Sequence, residues 1–340
     1  MKALFIGGTG TISTAITELA ARQGIELTLL NRGRTACELP ENVRVIHADI
    51  NNEAEAAKAL EGESFDVVAD FIGFTPDQVQ RDIRLFSGRT NQYIYISSAS
   101  AYQKPCSHYL ISESTPMANP YWTYSQNKII SENILLDEYR NNGFPVTIVR
   151  PSHTYGRTKV PVAVEGKNGG WPVVSRIMRG KPVIIHGDGL SLWTFTHNTD
   201  FARAFLGLMG NPHAIGEAVQ IISDETLTWN QAYEIIGRHV GKAPEIVHMS
   251  VDFLAASNPE YRASLIGDKA NSVVFDNSKI KRLVPGFHAT VRFDQGVGDS
   301  IRYILAHPEY QKEDPEFDAW CDRMIDIYRR AMQEASQIKL

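Results

Sequence analysis

Short apolar runs recur along the chain at Ala3–Ile6, Leu27–Leu30, Val43–Ile46, Val67–Phe71, Tyr93–Ile96 and Val146–Val149, with stretches of helical periodicity between them. Continuous apolarity, as opposed to strict alternation, marks strands covered on both faces. Strands that alternate with helices predict a parallel sheet with helices on both sides, so the fold class expected is α/β, doubly wound. In such a sheet ligands bind beyond the C-terminal strand ends. Gly7, Asn31, Asp49, Phe71, Ser98 and Pro151 each follow or close a strand and are expected to converge there. After Gly156 the regularity breaks into a stretch rich in Gly and Pro, residues 157–190. A helix near Asp200–Met209 and a strand at Val219–Ile222 then return to the first pattern, and the remainder from Leu227 onward reads as mostly helical. Pro315–Leu340 is expected to be an amphipathic helix carrying Phe317, Trp320, Met324, Ile327 and Tyr328, packed on the body of the protein.

The first apolar run leads directly into Gly7-Gly8-Thr9-Gly10-Thr11-Ile12-Ser13, followed by a helical pattern at Ile16, Leu19 and Ala20. A strand, a glycine-rich turn and a helix N-terminus form a pyrophosphate site, because the backbone can approach the phosphates and free N–H groups face the anion. Residues 7–12 are therefore candidate cofactor contacts, with a serine at the place of a third glycine. Further on, Tyr124-Ser125-Gln126-Asn127-Lys128 sets a phenol and an ammonium one helical turn apart, 26 positions after Ser98. A phenol titrates near pKa ~10, and a neighbouring cation favours its phenolate, which makes it a usable general acid/base.

Together the two motifs resemble the short-chain dehydrogenase/reductase superfamily, in its extended branch of NAD-dependent epimerases and dehydratases, along the whole chain. Ile96-Ser97-Ser98-Ala99-Ser100-Ala101-Tyr102 resembles the strand-end serine motif, Arg150-Pro151-Ser152-His153-Thr154-Tyr155-Gly156 an R-P-x-N-x-Y-G loop, and His186-Gly187-Asp188-Gly189 a G-D-G segment. The resemblance implies a Rossmann-type dinucleotide-binding domain, residues 1–156 plus about 191–225, and a smaller, mostly helical substrate-binding lobe, residues 157–190 plus about 226–340. It implies Ser98, Tyr124 and Lys128 as catalytic residues, with Tyr124 exchanging a proton and Lys128 also bonding the nicotinamide ribose. It implies Asp49 against the adenine, Phe71 and Pro151 beside the cofactor, and Ser100 and Tyr102 as substrate contacts. A homodimer paired through the Tyr124 helix is expected, since Ile129, Ile130, Ile134, Leu135 and Leu136 exceed what one buried face needs.

The residue closing the second strand selects between NAD and NADP: an acidic side chain there bonds the ribose 2′-OH. Here it is Asn31, followed by Arg32, Gly33 and Arg34, so two guanidiniums are available to a 2′-phosphate and NADP is favoured over NAD. Two positions depart from the family pattern. His153 stands in place of the loop asparagine, where it could bond a substrate hydroxyl. Trp193 stands where members acting on nucleotide sugars carry a diphosphate-clamping arginine, and its indole could stack on a sugar ring. A small sugar-like substrate is therefore expected in preference to a nucleotide diphosphate sugar. The Leu30–Gly33 turn and the Trp193–Asp200 stretch also look like an atypical subgroup related to chloroplast stem-loop RNA-binding proteins, which makes an RNA-binding or regulatory protein the alternative.

Bulk properties narrow the partners. The net charge of −5 disfavours a nucleic-acid footprint, and no apolar run is long enough for a membrane span. Three widely separated cysteines and ten histidines without metal-ligand spacing predict reduced thiols and no metal site. With no leader ahead of the first strand, a cytoplasmic location is expected.

Overall fold

A computed structural model describes residues 1–33 and 38–338. The chain divides into two compact units, the first formed by Met1–Thr154, Thr196–Asp224 and Phe275–Thr290, the second by Tyr155–Phe195, Glu225–Val274 and Val291–Leu340.

The first unit is built on a seven-stranded parallel sheet. Its strands are β1 (Lys2–Ile6), β2 (Glu26–Asn31), β3 (Arg44–His47), β4 (Phe65–Asp70), β5 (Thr90–Ile96), β6 (Val146–Pro151) and β7 (Ala218–Ile221), in the spatial order β7-β6-β5-β4-β1-β2-β3. Every neighbouring pair is parallel. The order reverses between β1 and β4, which opens the crevice where ligands bind in such sheets. The helices of this unit include α1 (Ser13–Arg22), α2 (Glu53–Ala59), α3 (Pro76–Phe86), α4 (Thr123–Asn142) and, after a fifth helix that belongs to the other unit, α6 (Asn198–Leu208), with a short helix at Ser278–Leu283.

Period-two geometry explains the continuous apolar runs. Ala3 and Phe5 of β1 pack into one core with Ile16 of α1 and with Phe201, Phe205 and Leu208 of α6. Leu4 and Ile6 point to the other core, with Ala56 of α2, Val79 and Leu85 of α3, and Leu135 of α4. The segment 275–290 also belongs here and not to the helical remainder, where the sequence pattern placed it: Ile280 and Phe287 are buried in the same core as α1 and α6. Along α4, Leu135 is fully buried, Ile129, Ile134 and Leu136 are half-buried and Ile130 is exposed.

The second unit is mostly helical. It contains α5 (Trp171–Arg179), helices at Trp229–His239, Val251–Ser257 and Phe293–Ala306, a π-helical stretch at Arg262–Lys269 and the tail helix Pro315–Ala335. Strands Val183–His186 and Ile246–Met249 pair in parallel. The tail helix buries Phe317, Cys321, Met324 and Ile325 and leaves Ile327 exposed. Arg176 of α5, fully buried, holds it through Asp318 and Asp322, each at 2.7 Å. Among the described residues no helix is long and apolar enough to cross a membrane, and no cluster of His, Cys, Asp and Glu could hold a metal.

Candidate active site

β1 ends in a turn that only glycine tolerates. Gly7 and Gly8 adopt φ of +96° and +90°, a region that L side chains rarely enter. A Cβ on Gly7 would lie 2.9 Å from Ile72 Cγ2, and one on Gly8 2.6 Å from Leu29 Cδ2. The Gly10 N–H donates to Ser13 Oγ at 2.9 Å, so the serine in the third glycine position ties the turn to the start of α1. That helix has no side-chain cap and no acidic residue in its first turn. Its N–H groups and positive dipole end are thus left for an anion.

Around this turn lies a cavity of about 260 Å³, lined by Gly7, Thr9, Gly10 and Ser13, by Leu30–Gly33 from the end of β2, by Ala48–Ile50 after β3, and by Phe71 and Ile72 after β4. Its wall carries both apolar and polar groups. Phe71 is fixed edge-on to Phe5, with ring centroids 5.3 Å apart. Asn31 Oδ1 accepts the Gly33 N–H at 3.0 Å, which shapes the rim. Arg32, half exposed, stands 3.9 Å from the Asp49 carboxylate. The cradle at Gly7, the open helix end and the mixed wall fit a dinucleotide.

The Tyr124–Lys128 segment forms the first two turns of α4. Lys128 is almost fully buried, and its Nζ donates to the carbonyls of Gly73 at 2.6 Å and Ile96 at 2.7 Å. The same nitrogen lies 4.7 Å from the centre of the Tyr95 ring, 5.1 Å from that of Phe74 and 5.7 Å from that of Tyr124. Burial pulls the Lys128 ammonium down to about 8, against the opposing charges of Asp70 and Glu132. Tyr124 is half-buried, with the Trp122 ring 4.9 Å from its own. Ser98, just past β5, is linked to α4 through hydroxyls: Ser98 Oγ meets Ser100 Oγ at 2.9 Å, which receives the Ser125 hydroxyl at 2.8 Å. Ser125 directly follows Tyr124. The unit that holds the glycine turn therefore also carries the Ser98 hydroxyl, tied through Ser100 to α4, and the buried Lys128 ammonium one helical turn from Tyr124.

Residues 3–221 match the NAD dependent epimerase/dehydratase family. The chain belongs to that family. Among curated relatives, the chloroplast stem-loop binding protein of 41 kDa b from Arabidopsis thaliana is 27% identical over 73% of this chain, which spans 65% of that protein. The 2'-dehydrokanamycin reductase of Streptomyces kanamyceticus is 22% identical over 84% of this chain and 80% of its own. Among solved structures, the epimerase Mth375 of Methanothermobacter thermautotrophicus superposes with a TM-score of 0.75 at 18% identity, covering 91% of this chain and 94% of that one.

In this epimerase/dehydratase chain the remaining candidates lie in different settings. Gly8, Thr11, Ile12 and Pro151 do not line the cavity: the Gly8 carbonyl accepts the Thr17 hydroxyl, and that of Thr11 accepts the Asn198 amide. Arg34 falls outside the described residues. Ser100 is 3% exposed and engaged by Ser98 and Ser125, so it supports the site from below and is not open to substrate. Tyr102 is likewise closed off: its hydroxyl donates to Gln220 at 3.0 Å and its ring lies under the Arg150 guanidinium. Trp193, 2% exposed, stacks on Trp229 at 5.7 Å inside the second unit, and no face is left for a sugar ring. His153 is half-buried at the start of the short strand that follows β6.

Two buried carboxylates around Lys128 carry no motif. Glu132, one turn further along α4, accepts the Ser97 hydroxyl and a fork from Arg150, whose Nη2 approaches to 2.6 Å. Its spacing of four from Lys128 was the available signal. Asp70 ends the apolar run of β4 and is fully buried. A carboxylate in such a run is the kind of sequence signal that points to a special partner.

Proposed function

We propose that the protein is an NAD(P)-dependent enzyme that oxidises, reduces or epimerises a sugar-like alcohol or carbonyl compound, with Tyr124 as its acid–base group. The observation that carries this reading is the buried Lys128 ammonium one turn from Tyr124, in the same unit as the glycine-turn cavity. Gly7, Thr9, Gly10, Asn31, Arg32, Asp49 and Phe71 would hold the dinucleotide, which supplies or accepts hydride when bound. Tyr124 exchanges a proton with the reacting oxygen, and Lys128 favours its phenolate. Ser98, held through Ser100 to α4, directs its hydroxyl to the same oxygen and offsets developing charge. The relatives named as a reductase and as an epimerase support this class of reaction.

The cofactor preference we assign is NADP(H). The β2 end lacks the carboxylate that would repel a 2′-phosphate, and Arg32 is half exposed at the cavity rim. Arg32→Ala should weaken NADP(H) about tenfold or more while NAD(H) changes little, as expected for loss of one charge-assisted contact. Fluorescence titration with both nucleotides measures it, and equal losses would remove the assignment.

The reading as a whole is tested by denaturing the untreated protein and identifying released nucleotide by mass spectrometry, followed by turnover assays on free and nucleotide-linked sugars. Retained nucleotide with epimer formation marks an epimerase, and reversible binding with net hydride transfer marks a reductase. Failure to bind either nucleotide would sink the reading. The stem-loop binding relative supports a second reading, an RNA-binding protein of the same fold. Steeply salt-dependent RNA binding without turnover would put it first.

A further inference from the structure

We propose that Lys104 and Cys106 form a redox-modification site, in which a peroxide oxidises the Cys106 sulfur and the Lys104 Nζ captures it in a covalent S–N bond. Lys104 is 4% exposed. A lysine is almost never that buried unless good acceptors hold its nitrogen. Elsewhere in the chain this holds: Lys128 donates to two carbonyls, and Arg150 and Arg176 meet carboxylates. The Lys104 Nζ instead donates to Cys106 Sγ, at 3.6 Å, and has no other hydrogen-bond or ion-pair partner among the described residues. A thiol is a weak acceptor, so this contact does not by itself offset the burial of the nitrogen. The nitrogen is buried, otherwise unpartnered and aimed at sulfur.

The backbone holds the two groups in place. The Gln103 N–H donates to the Pro116 carbonyl and the Lys104 N–H to that of Ala118, each at 2.7 Å. Asn119 then ties the returning segment to the Ser100 carbonyl at 2.7 Å. The Lys104 side chain is enclosed, so its nitrogen loses little freedom on bonding. Cys106, two residues on, is only half-buried, and Ser107, His108 and Tyr109 after it are exposed. The residue is thus open to a small oxidant while its sulfur already touches the nitrogen. Cys321, 2% exposed in the tail helix, is closed to the same reagent.

The chemistry balances with hydrogen peroxide as oxidant. The peroxide O–O bond breaks, an S–O bond forms on Cys106, and water leaves with the thiol proton, which gives a sulfenic acid. A sulfenic acid condenses with a thiol or with a nitrogen held against it. The Lys104 Nζ attacks the sulfur, the S–O bond breaks, and the hydroxyl leaves as water with a proton from the nitrogen; any further proton on that nitrogen goes to solvent. The sulfur is oxidised by one electron pair, and one peroxide is reduced to water. The linked pair is short of one hydrogen from the thiol and one from the amine. A thiol reductant attacks the sulfur, breaks the S–N bond and returns the amine.

The test is peptide mass spectrometry of the folded full-length protein after brief treatment with dilute hydrogen peroxide. Trypsin does not cut between Lys104 and Pro105, so both residues stay in peptide 90–128, whose one cysteine is Cys106. The expected product is that peptide short of a pair of hydrogens, unreactive to dimedone and iodoacetamide, and restored by dithiothreitol. In Lys104→Leu the peroxide product should instead be a sulfenic acid trapped by dimedone, with the hydrogen-deficient peptide at least about tenfold less abundant. An undiminished yield of that peptide in Lys104→Leu overturns the proposal, because the capturing nitrogen is then a backbone one. A wild-type Cys106 that stays unmodified, or ends as a dimedone adduct, a sulfinic acid or a disulfide, overturns it as well. If Lys104→Leu does not fold, fragmentation of the wild-type peptide decides. Fragments that never part Lys104 from Cys106 support the bond, and fragments that break between Lys104 and Pro105 overturn it.

Discussion

Tyr124→Phe should lower turnover by about 10²–10⁴-fold while leaving dinucleotide affinity within about twofold. The variant removes one oxygen and keeps the ring. The 4.9 Å contact with Trp122 and the approach of the ring to Lys128 survive, so α4 keeps its place. Tyr124 does not line the cavity around the glycine turn, which leaves the nucleotide contacts there intact. What disappears is the group able to pass a proton to the reacting oxygen. Turnover and nucleotide titration on the same preparation separate the two effects. Undiminished turnover would rule out Tyr124 as the acid–base group, and parallel loss of binding and turnover would make its role structural.

Glu132→Ala should destabilise the fold by about 3–5 kcal/mol, a large share of the roughly 5–15 kcal/mol that holds a domain together. The Glu132 and Arg150 side chains are 3% and 5% exposed. Removing the carboxylate leaves a guanidinium buried at the C-terminal half of β6, with no anion to match it, over the Tyr102 ring and 3.3 Å from the Glu113 carbonyl. It also releases the Ser97 hydroxyl, next to Ser98. The surface pair Arg84–Glu53, whose side chains are 56% and 42% exposed, provides the contrast. Exposed pairs contribute about 0–1 kcal/mol, so Glu53→Ala should move a denaturation midpoint far less. Equal shifts in the two variants would show that burial of the Glu132–Arg150 pair carries no special weight.

Much of the fold was legible because both faces of the sheet are covered. Strands such as β1, with Ala3 and Phe5 in one core and Leu4 and Ile6 in the other, have no polar face to interrupt the run. The glycine turn was legible because its backbone angles admit nothing else, and Tyr124–Lys128 because four residues make one helical turn. Segment 275–290 was not legible: Ile280 and Phe287 return to the first unit from far along the chain, and a local pattern cannot say which core an apolar residue joins. Tyr102 and Trp193 looked available because motif position says nothing of burial; Gln220 and Trp229, distant in sequence, close them off.

The return of 275–290 has a practical consequence for anyone dissecting the chain. A fragment ending at residue 224 would contain all seven strands and the whole glycine turn, yet it would bare the apolar surface that Ile280 and Phe287 cover beside Phe205 and Leu208. Such a fragment should be sticky and short-lived in solution. Adding 275–290 back would restore that cover, but Trp193 and Arg176, retained in the fragment, would still lack Trp229 and the tail helix, so the first unit is defined by contact and not by contiguity.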